Sequence, residues 1–243
     1  MMIKKGPFPS LSLVSLLIIS SLLIGCSGQE ATASQQAETT TESPTTSEMT
    51  EETTNQERPR IVFFGNSLTA GYGLDEQNSF PSRVQEKLDS AGFLYQVVNA
   101  GISGETTAGG VSRIDWVMEQ PISVFVLELG GNDVLRGFDL DATRSNLRKI
   151  FEAVQGKYPE ATLVVAGMEA PPNMGPDYTS EFRQIYRALA EEYNAALIPF
   201  LLDGVGGIPE LNLPDRIHPN EEGQKIVAQN VWDVIAPLLE KES

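Results

Sequence analysis

The 243-residue chain predicts an α/β protein whose folded part is a five-stranded parallel sheet with helices on both faces. Three observations carry that expectation. From Arg60 onward, short apolar runs alternate with longer amphipathic ones, the pattern of strand–helix repeats. Glycines punctuate the amphipathic runs, at Gly92 and Gly156 among others. The apolar runs lead into loops rich in Gly, Asn, Ser and Asp.

Each element has its own justification. Ile61-Val62-Phe63-Phe64 is a short buried strand, and a Gly-rich loop follows it through Gly73. Residues 80–91 have helical spacing, with Val84 and Leu88 one turn apart and Gly92 as the stop. Tyr95 to Asn99 is the second strand, and residues 106–119 suit a helix. Ile122 to Leu129 is the third strand, ended by Gly130-Gly131. Asp141 opens a helix that runs to Val154, with Gly156 beyond it. Thr162 to Ala166 is the fourth strand and Tyr178 to Tyr193 a helix. Ala196 to Phe200 is a short fifth strand, and Asn220 to Leu239 a closing helix. Outside the low-complexity region before residue 58 no internal repeat is visible.

Composition sets the outer bounds. The chain carries 33 acidic and 17 basic side chains, a formal charge of -16. That balance argues against nucleic acid as a partner, because a phosphate backbone must be met by clustered Lys and Arg. One Cys excludes an internal disulfide framework and a Cys-rich zinc site, and one His excludes multi-His metal sites. No metal and no cofactor are expected. Gly101 to Gly110 contains neither G-x-G-x-x-G nor a following Lys-Ser/Thr, so it is no phosphate cradle.

The charge is unevenly spread. Residues 1–25 carry Lys4 and Lys5, then an apolar stretch from Leu11 to Ile24, and small residues before Cys26. This describes a secretory signal, and the stretch is shorter than the roughly 18 residues of a spanning helix. Leu23-Ile24-Gly25-Cys26 resembles the bacterial lipobox, which implies Cys26 as a lipidated first residue of the mature protein. An ordinary signal peptide with an incidental Cys and an uncleaved anchor are the alternatives. Attached acyl chains would hold the protein firmly, at about 0.8 kcal/mol per buried methylene. Ser27 rather than Asp follows the Cys, which leans toward an outer membrane if the source has one.

Residues 27–57 are nearly all Thr, Glu, Ser, Gln and Ala, with seven Glu and no Lys or Arg. Such a stretch cannot offset its ordering entropy by burial, so 26–57 is expected to be a disordered tether with a reach on the order of 30 Å. A passive spacer is favoured over an acidic interaction tail. The signal then holds +2, the tether -7 and the folded domain, 58–243, the remaining -11. A monomer is the working expectation, with the oligomeric state open.

The chemistry concentrates where the strands end. Gly65-Asn66-Ser67-Leu68 follows the first strand, Asn99-Ala100-Gly101 the second, and Gly130-Gly131-Asn132-Asp133 the third. Asp215-Arg216-Ile217-His218 lies between the fifth strand and the last helix. Ligands of open parallel sheets bind beyond the carboxyl ends of the strands. If the strand order is 2-1-3-4-5, the first three loops are neighbours. The set fits acyl transfer: Ser67 as nucleophile, His218 as the one available imidazole base, and Asp215 to hold its tautomer. Candidate oxyanion donors are the backbone N–H groups of Ser67 and Gly101 and the side-chain amide of Asn132. Taken singly, each segment is weak, since Gly-x-Ser is common and Gly-Gly-Asn-Asp is ordinarily a turn and helix start. Their order and placement carry the inference.

These blocks resemble the GDSL or SGNH esterases and lipases. Phe64 to Gly73 looks like the family's Ser block and Asn99 to Gly104 like its Gly block. Gly130 to Asp133 resembles its Asn block, and Asp215 with His218 its final block. Gly167 to Gly175 is similar to the substrate-side loop of the arylesterase, lysophospholipase and thioesterase branch. The resemblance spans residues 60–237 and implies a flavodoxin-like three-layer α/β/α sandwich, the triad Ser67, Asp215 and His218, and an oxyanion hole from Ser67, Gly101 and Asn132. It implies a serine esterase acting on small or lipid-like acyl esters or thioesters. A carbohydrate O-acetylesterase is the alternative, and a non-catalytic binding lipoprotein a more distant one. Asn66 stands where the family usually has Asp, which keeps an acceptor, gains donors and loses the charge.

Glu128, inside an apolar strand and near Asn132, is either a buried acid with a raised pKa or, as is favoured, paired with a neighbouring loop or helix terminus. Trp116 and Trp232 lie on helical faces and are expected in the core.

Overall fold

The computed structural model describes residues 58–241. The signal peptide, Cys26 and the tether lie outside the described residues, so the expectations placed on them are carried by sequence alone.

The described chain runs β1 (Arg60–Gly65), α1 (Ser67–Ala70), α2 (Phe80–Ala91), β2 (Gln96–Gly101), α3 (Thr107–Val117), β3 (Val124–Glu128), α4 (Gly131–Leu135) and α5 (Leu140–Lys157). It continues through β4 (Thr162–Ala166), α6 (Pro176–Tyr193), β5 (Ala196–Ile198) and α7 (Glu221–Ile235). The strands pair in the order β2-β1-β3-β4-β5, all parallel, as the α/β expectation requires. Helices α2 and α7 pack together, and α3, α5 and α6 form a second group. The sheet between them is dry: Ile61, Val62, Phe64, Phe125, Leu127, Val164 and Val165 are fully buried. Burial of such side chains, each contributing about 1.5–3 kcal/mol, is the main term holding the three layers together.

The order places the switch point between β1 and β3. The chain leaves β1 for β2 on one side and then crosses back to β3 on the other, so the loops after β1 and β3 open a crevice at the carboxyl edge. Gly65 pairs in register with Gly101 on one side and Glu128 on the other. The three site loops therefore leave the sheet at the same level.

Several boundaries differ from the sequence expectation. Short helices α1 and α4 begin inside stretches expected as loops, because Asn66 caps α1 and Gly130 adopts a left-handed φ of 114° before α4. Gly156 lies within α5, which continues to Lys157. The closing helix ends at Ile235 and tightens into a 3-10 turn at Ala236–Leu238, since Pro237 has no N–H to continue it. Trp116 is not core: it is 70% exposed, because α3 turns Gly110, Ile114 and Val117 inward and position 116 falls off that stripe. Trp232 is half-buried and meets Phe93 edge-on, with ring centroids 6.0 Å apart.

Candidate active site

The turn carrying Ser67 is built by its neighbours. Asn66 Oδ1 accepts the Leu68 N–H at 2.9 Å and so caps α1, while Gly71 ends it in the left-handed conformation with φ 72°. Gly65 must be glycine, because a Cβ there would stand 2.6 Å from Glu128 Oε2 and collide with Thr69. Ser67 is the first residue of the helix, so its N–H is one of the helix-start donors that lack an intrahelical partner.

His218 reaches this turn from a loop 151 residues further on. Its Nε2 lies 2.9 Å from Ser67 Oγ, and its Nδ1 lies 2.8 Å from Asp215 Oδ2. The other Asp215 oxygen accepts the N–H groups of Ile217 (2.9 Å) and His218 (3.0 Å). Partial burial pushes the Asp215 carboxyl up, but those N–H groups and the His218 ring outweigh it and hold it down at about 2. Asp215 is therefore a carboxylate at any ordinary pH. The turn between the two residues is strained: Arg216 takes φ 60°, unusual for a side chain of its size. It is closed by Leu213 N–H to the His218 carbonyl at 2.7 Å. The Tyr72 ring lies against the imidazole, with centroids 4.4 Å apart.

The candidate oxyanion donors stand in different states. The Asn132 amide donates to the Glu105 carbonyl at 2.9 Å, and its second N–H remains for a ligand. Gly101 N–H donates to Asn99 Oδ1 at 3.0 Å. A backbone N–H has one hydrogen, so Asn99 must share or release it before Gly101 can serve an oxyanion. Gly101 itself is required by close approach: a Cβ would run into the backbone of Ala70 in α1. Asp133, buried beside Asn132, accepts the Thr107 N–H at 2.9 Å and so ties α4 to the start of α3.

Sequence reasoning missed the residues underneath. Arg113 donates to the carbonyl of Ala100 (2.7 Å), lies 3.4 Å from that of Gly65, and pairs with Glu105 at 2.5 Å. Its guanidinium also stacks on Phe64, 3.9 Å from the ring centroid. It therefore links the ends of β1 and β2 to the loop that positions Asn132. The available signal was Arg113 as the one basic residue among 106–119. Glu128, by contrast, pairs with a neighbouring loop as the sequence suggests. Its carboxylate accepts Asn66 N–H (3.1 Å), Asn66 Nδ2 (2.7 Å) and Thr69 Oγ1 (2.8 Å). Burial pushes Glu128 up to about 7, against the pull of those hydrogen bonds.

Chemically, the arrangement presents a hydroxyl on an imidazole whose far nitrogen is held by a carboxylate. Two kinds of N–H donor flank it. That is the equipment of acyl transfer through a serine. Among the described residues no group of three or more His, Cys, Asp or Glu side chains is placed to hold a metal ion.

Known proteins share the pattern. Esterase TesA of Pseudomonas aeruginosa is 38% identical to this chain over 180 residues, 74% of this chain and 89% of that protein. The chain is also 35% identical to thioesterase 1/protease 1/lysophospholipase L1 of Escherichia coli strain K12 over 184 residues, 75% of this chain and 86% of that protein. The crystal structure of the psychrotrophic esterase EstA from Pseudoalteromonas sp., inhibited by monoethylphosphonate, is similar with a TM-score of 0.69 at 31% identity, over 74% of this chain and 97% of that one. A family model matches residues 63–226, which contain the Ser67 turn, the Gly101 and Asn132 loops, and Asp215 with His218. With fold, loops and sequence in agreement, the chain belongs to the GDSL-like lipase/acylhydrolase family.

Proposed function

We propose that this protein is a serine esterase that hydrolyses acyl esters or thioesters through an acyl-Ser67 intermediate. The observation that supports it most is the unbroken hydrogen-bond chain from Ser67 Oγ through His218 to Asp215. His218 Nε2 takes the Ser67 proton as Oγ attacks the acyl carbon. Asp215, held ionised, stabilises the imidazolium and keeps Nε2 as the acceptor. The carbonyl oxygen, now negative, is received by the Ser67 N–H, the free Asn132 N–H and the Gly101 N–H once Asn99 yields it. Collapse expels the alcohol or thiol, which takes the proton from His218. Water then enters, gives its proton to His218, and releases the acid and the Ser67 hydroxyl.

Asn132→Ala removes one donor without touching the triad. The expected result is a fall of about 100- to 1000-fold in kcat with a small change in KM. A variant that keeps wild-type kcat would remove Asn132 from the oxyanion hole.

Apolar side chains stand exposed along this edge: Tyr72, Ile102, Leu135, Phe138 and Ile217. They favour a lipid-like or aromatic acyl ester over a sugar acetate. Turnover of a p-nitrophenyl ester series by the full chain tests this, with activity on longer chains expected and acetate-only activity against it.

The protein is further proposed to be exported and held in the bacterial envelope, as a monomer, by lipid on Cys26. The support is the lipobox-like Leu23 to Cys26 and the single Cys at the required place. Expressed in a bacterial host, the wild type should partition into the membrane fraction and Cys26→Ser should not. Equal partitioning of the two would overturn the anchor. Ser27 favours the outer membrane where the source has two.

A further inference from the structure

Tyr72 is carried by the same turn as the nucleophile. Its N–H donates to the Ser67 carbonyl at 3.0 Å, and it stands between two glycines in the left-handed conformation, Gly71 at φ 72° and Gly73 at φ 79°. The second is also a point of close approach, where a Cβ would stand 2.7 Å from Cδ1 of Leu213. Leu213 belongs to the other half of the site, since its N–H closes the turn that presents His218. The two loops therefore meet one residue from Tyr72. Its ring lies over the imidazole, with centroids 4.4 Å apart and planes tilted by 38°.

The hydrogen bonds of His218 leave its faces unclaimed. Nε2 to Ser67 Oγ (2.9 Å) and Nδ1 to Asp215 Oδ2 (2.8 Å) both lie at the edge of the ring. They fix the two nitrogens but permit the ring plane to rock about the line joining them. Tyr72 closes one face against that motion. It does so while 49% exposed, and an aliphatic side chain would cover the face as well. What an aromatic adds concerns the charged ring. A π face carries partial negative charge and attracts a cation within about 6 Å of its centroid, far more than it attracts a neutral ring.

We propose that Tyr72 is a positioning residue for His218, whose ring holds the imidazole plane and stabilises, through its π face, the imidazolium formed in the transition state. The proposal rests on the esterase reading above. As Ser67 Oγ bonds to the acyl carbon, the carbonyl electron pair moves onto its oxygen and the Ser67 proton passes to Nε2. His218 thereby goes from neutral to singly charged, and it does so again when water attacks the acyl-enzyme. In both half-reactions the contact strengthens from ground state to transition state, the condition under which an interaction raises kcat and leaves KM alone. Asp215 meets the same charge at the ring edge, where its side chain is 35% exposed and solvent screens part of the attraction. The π face acts on the face of the ring, where neither hydrogen bond reaches. An exposed ring at this mouth could instead serve as a platform for substrate. A platform shows in KM, increasingly with acyl length, whereas a partner of the imidazolium shows in kcat at every length.

The test replaces residue 72 in the full chain and reads kcat and KM on a short and a long p-nitrophenyl ester. Tyr72→Leu keeps an apolar cover without the π face, and should lower kcat roughly three- to tenfold on both esters with little change in KM. Tyr72→Phe should return most of that loss, because the ring makes the contact. Mono-, di- and trifluorophenylalanine at position 72 keep the shape of Phe while each fluorine draws charge from the ring face. The kcat should fall with each fluorine, toward the Leu value in the trifluoro variant. The rate at which a fluorophosphonate labels Ser67 should fall in parallel, since labelling uses the same proton transfer and precedes any deacylation. A flat fluorine series, or a Leu variant as fast as the wild type, would overturn the proposal. So would losses that appear in KM and grow with acyl length, which would make the ring a substrate platform. If the Leu variant fails to fold by circular dichroism, the fluorine series decides. A wild type inert toward every ester sinks the esterase reading itself, and this is distinct from an active wild type with a flat series.

Discussion

Replacing Ser67 by Ala should lower ester turnover by roughly four to six orders of magnitude, leaving only what binding and the oxyanion donors supply. The substitution deletes one oxygen. It removes the atom 2.9 Å from His218 Nε2 but leaves the Asn66 cap on Leu68 and the grip of Glu128 on Asn66 intact. The melting temperature should therefore move little, and so should KM, because the hydroxyl forms its decisive bond only beyond the ground state. Labelling by a fluorophosphonate probe should vanish with turnover, since the probe needs the same oxygen. Undiminished turnover in this variant would sink the assignment of the nucleophile. Turnover lost together with the fold would be visible in the melt and would not count for it.

Asp215→Asn should cost roughly 1000- to 10,000-fold in kcat, nearly as much as loss of the nucleophile, although the two side chains have the same shape. The reason is the tautomer. The Asp215 carboxylate, held near a pKa of 2, accepts from His218 Nδ1 and so leaves Nε2 bare to take the Ser67 proton. An amide nitrogen in the same place donates to Nδ1 and moves the ring hydrogen to Nε2, where it faces the serine. The Ile217 and His218 N–H groups can still bond to the amide oxygen, so the turn should persist. The wild-type rate should also show no inflection from Asp215 at any pH above about 3, because the carboxyl stays ionised there. A kcat for Asp215→Asn within tenfold of wild type would show that Asp215 does not set the tautomer. A pH–rate profile is the measurement for both statements.

How much of this was legible beforehand depended on the range of the interaction. Strand and helix positions are written in local periodicity: Val84 and Leu88 one turn apart, or the unbroken Ile61 to Phe64. Those elements appear where the spacing puts them, to within a few residues. The ends were less legible. The helix expected to run on to Leu239 stops at Ile235 because of Pro237, and Gly156 stays helical because α5 is packed along its length by Leu147, Ile150, Phe151 and Val154. Trp116 was misplaced because its helical face is set by which side of α3 meets the sheet. Periodicity with a glycine pair in the stripe defines that side poorly.

The candidate site divides along the same line. The amino-acid sequence by itself determined the α/β class, the family, and the short-range pieces: an Asn-Ser step after a strand, a Gly-Asn pair after another, an Asp three residues before the one His. Each piece is chemistry carried within a few neighbouring residues. Tertiary structure alone decided that His218 meets a serine 151 residues away and that Glu128 holds a turn 62 residues before it. It also decided that Arg113 fastens two strand ends and that Asn99 occupies the Gly101 N–H. The physical reason is that hydrogen bonds need partners within about 3 Å at defined angles. Only the strand order, and the register that sets Gly65 between Gly101 and Glu128, brings residues so far apart in the chain to that distance.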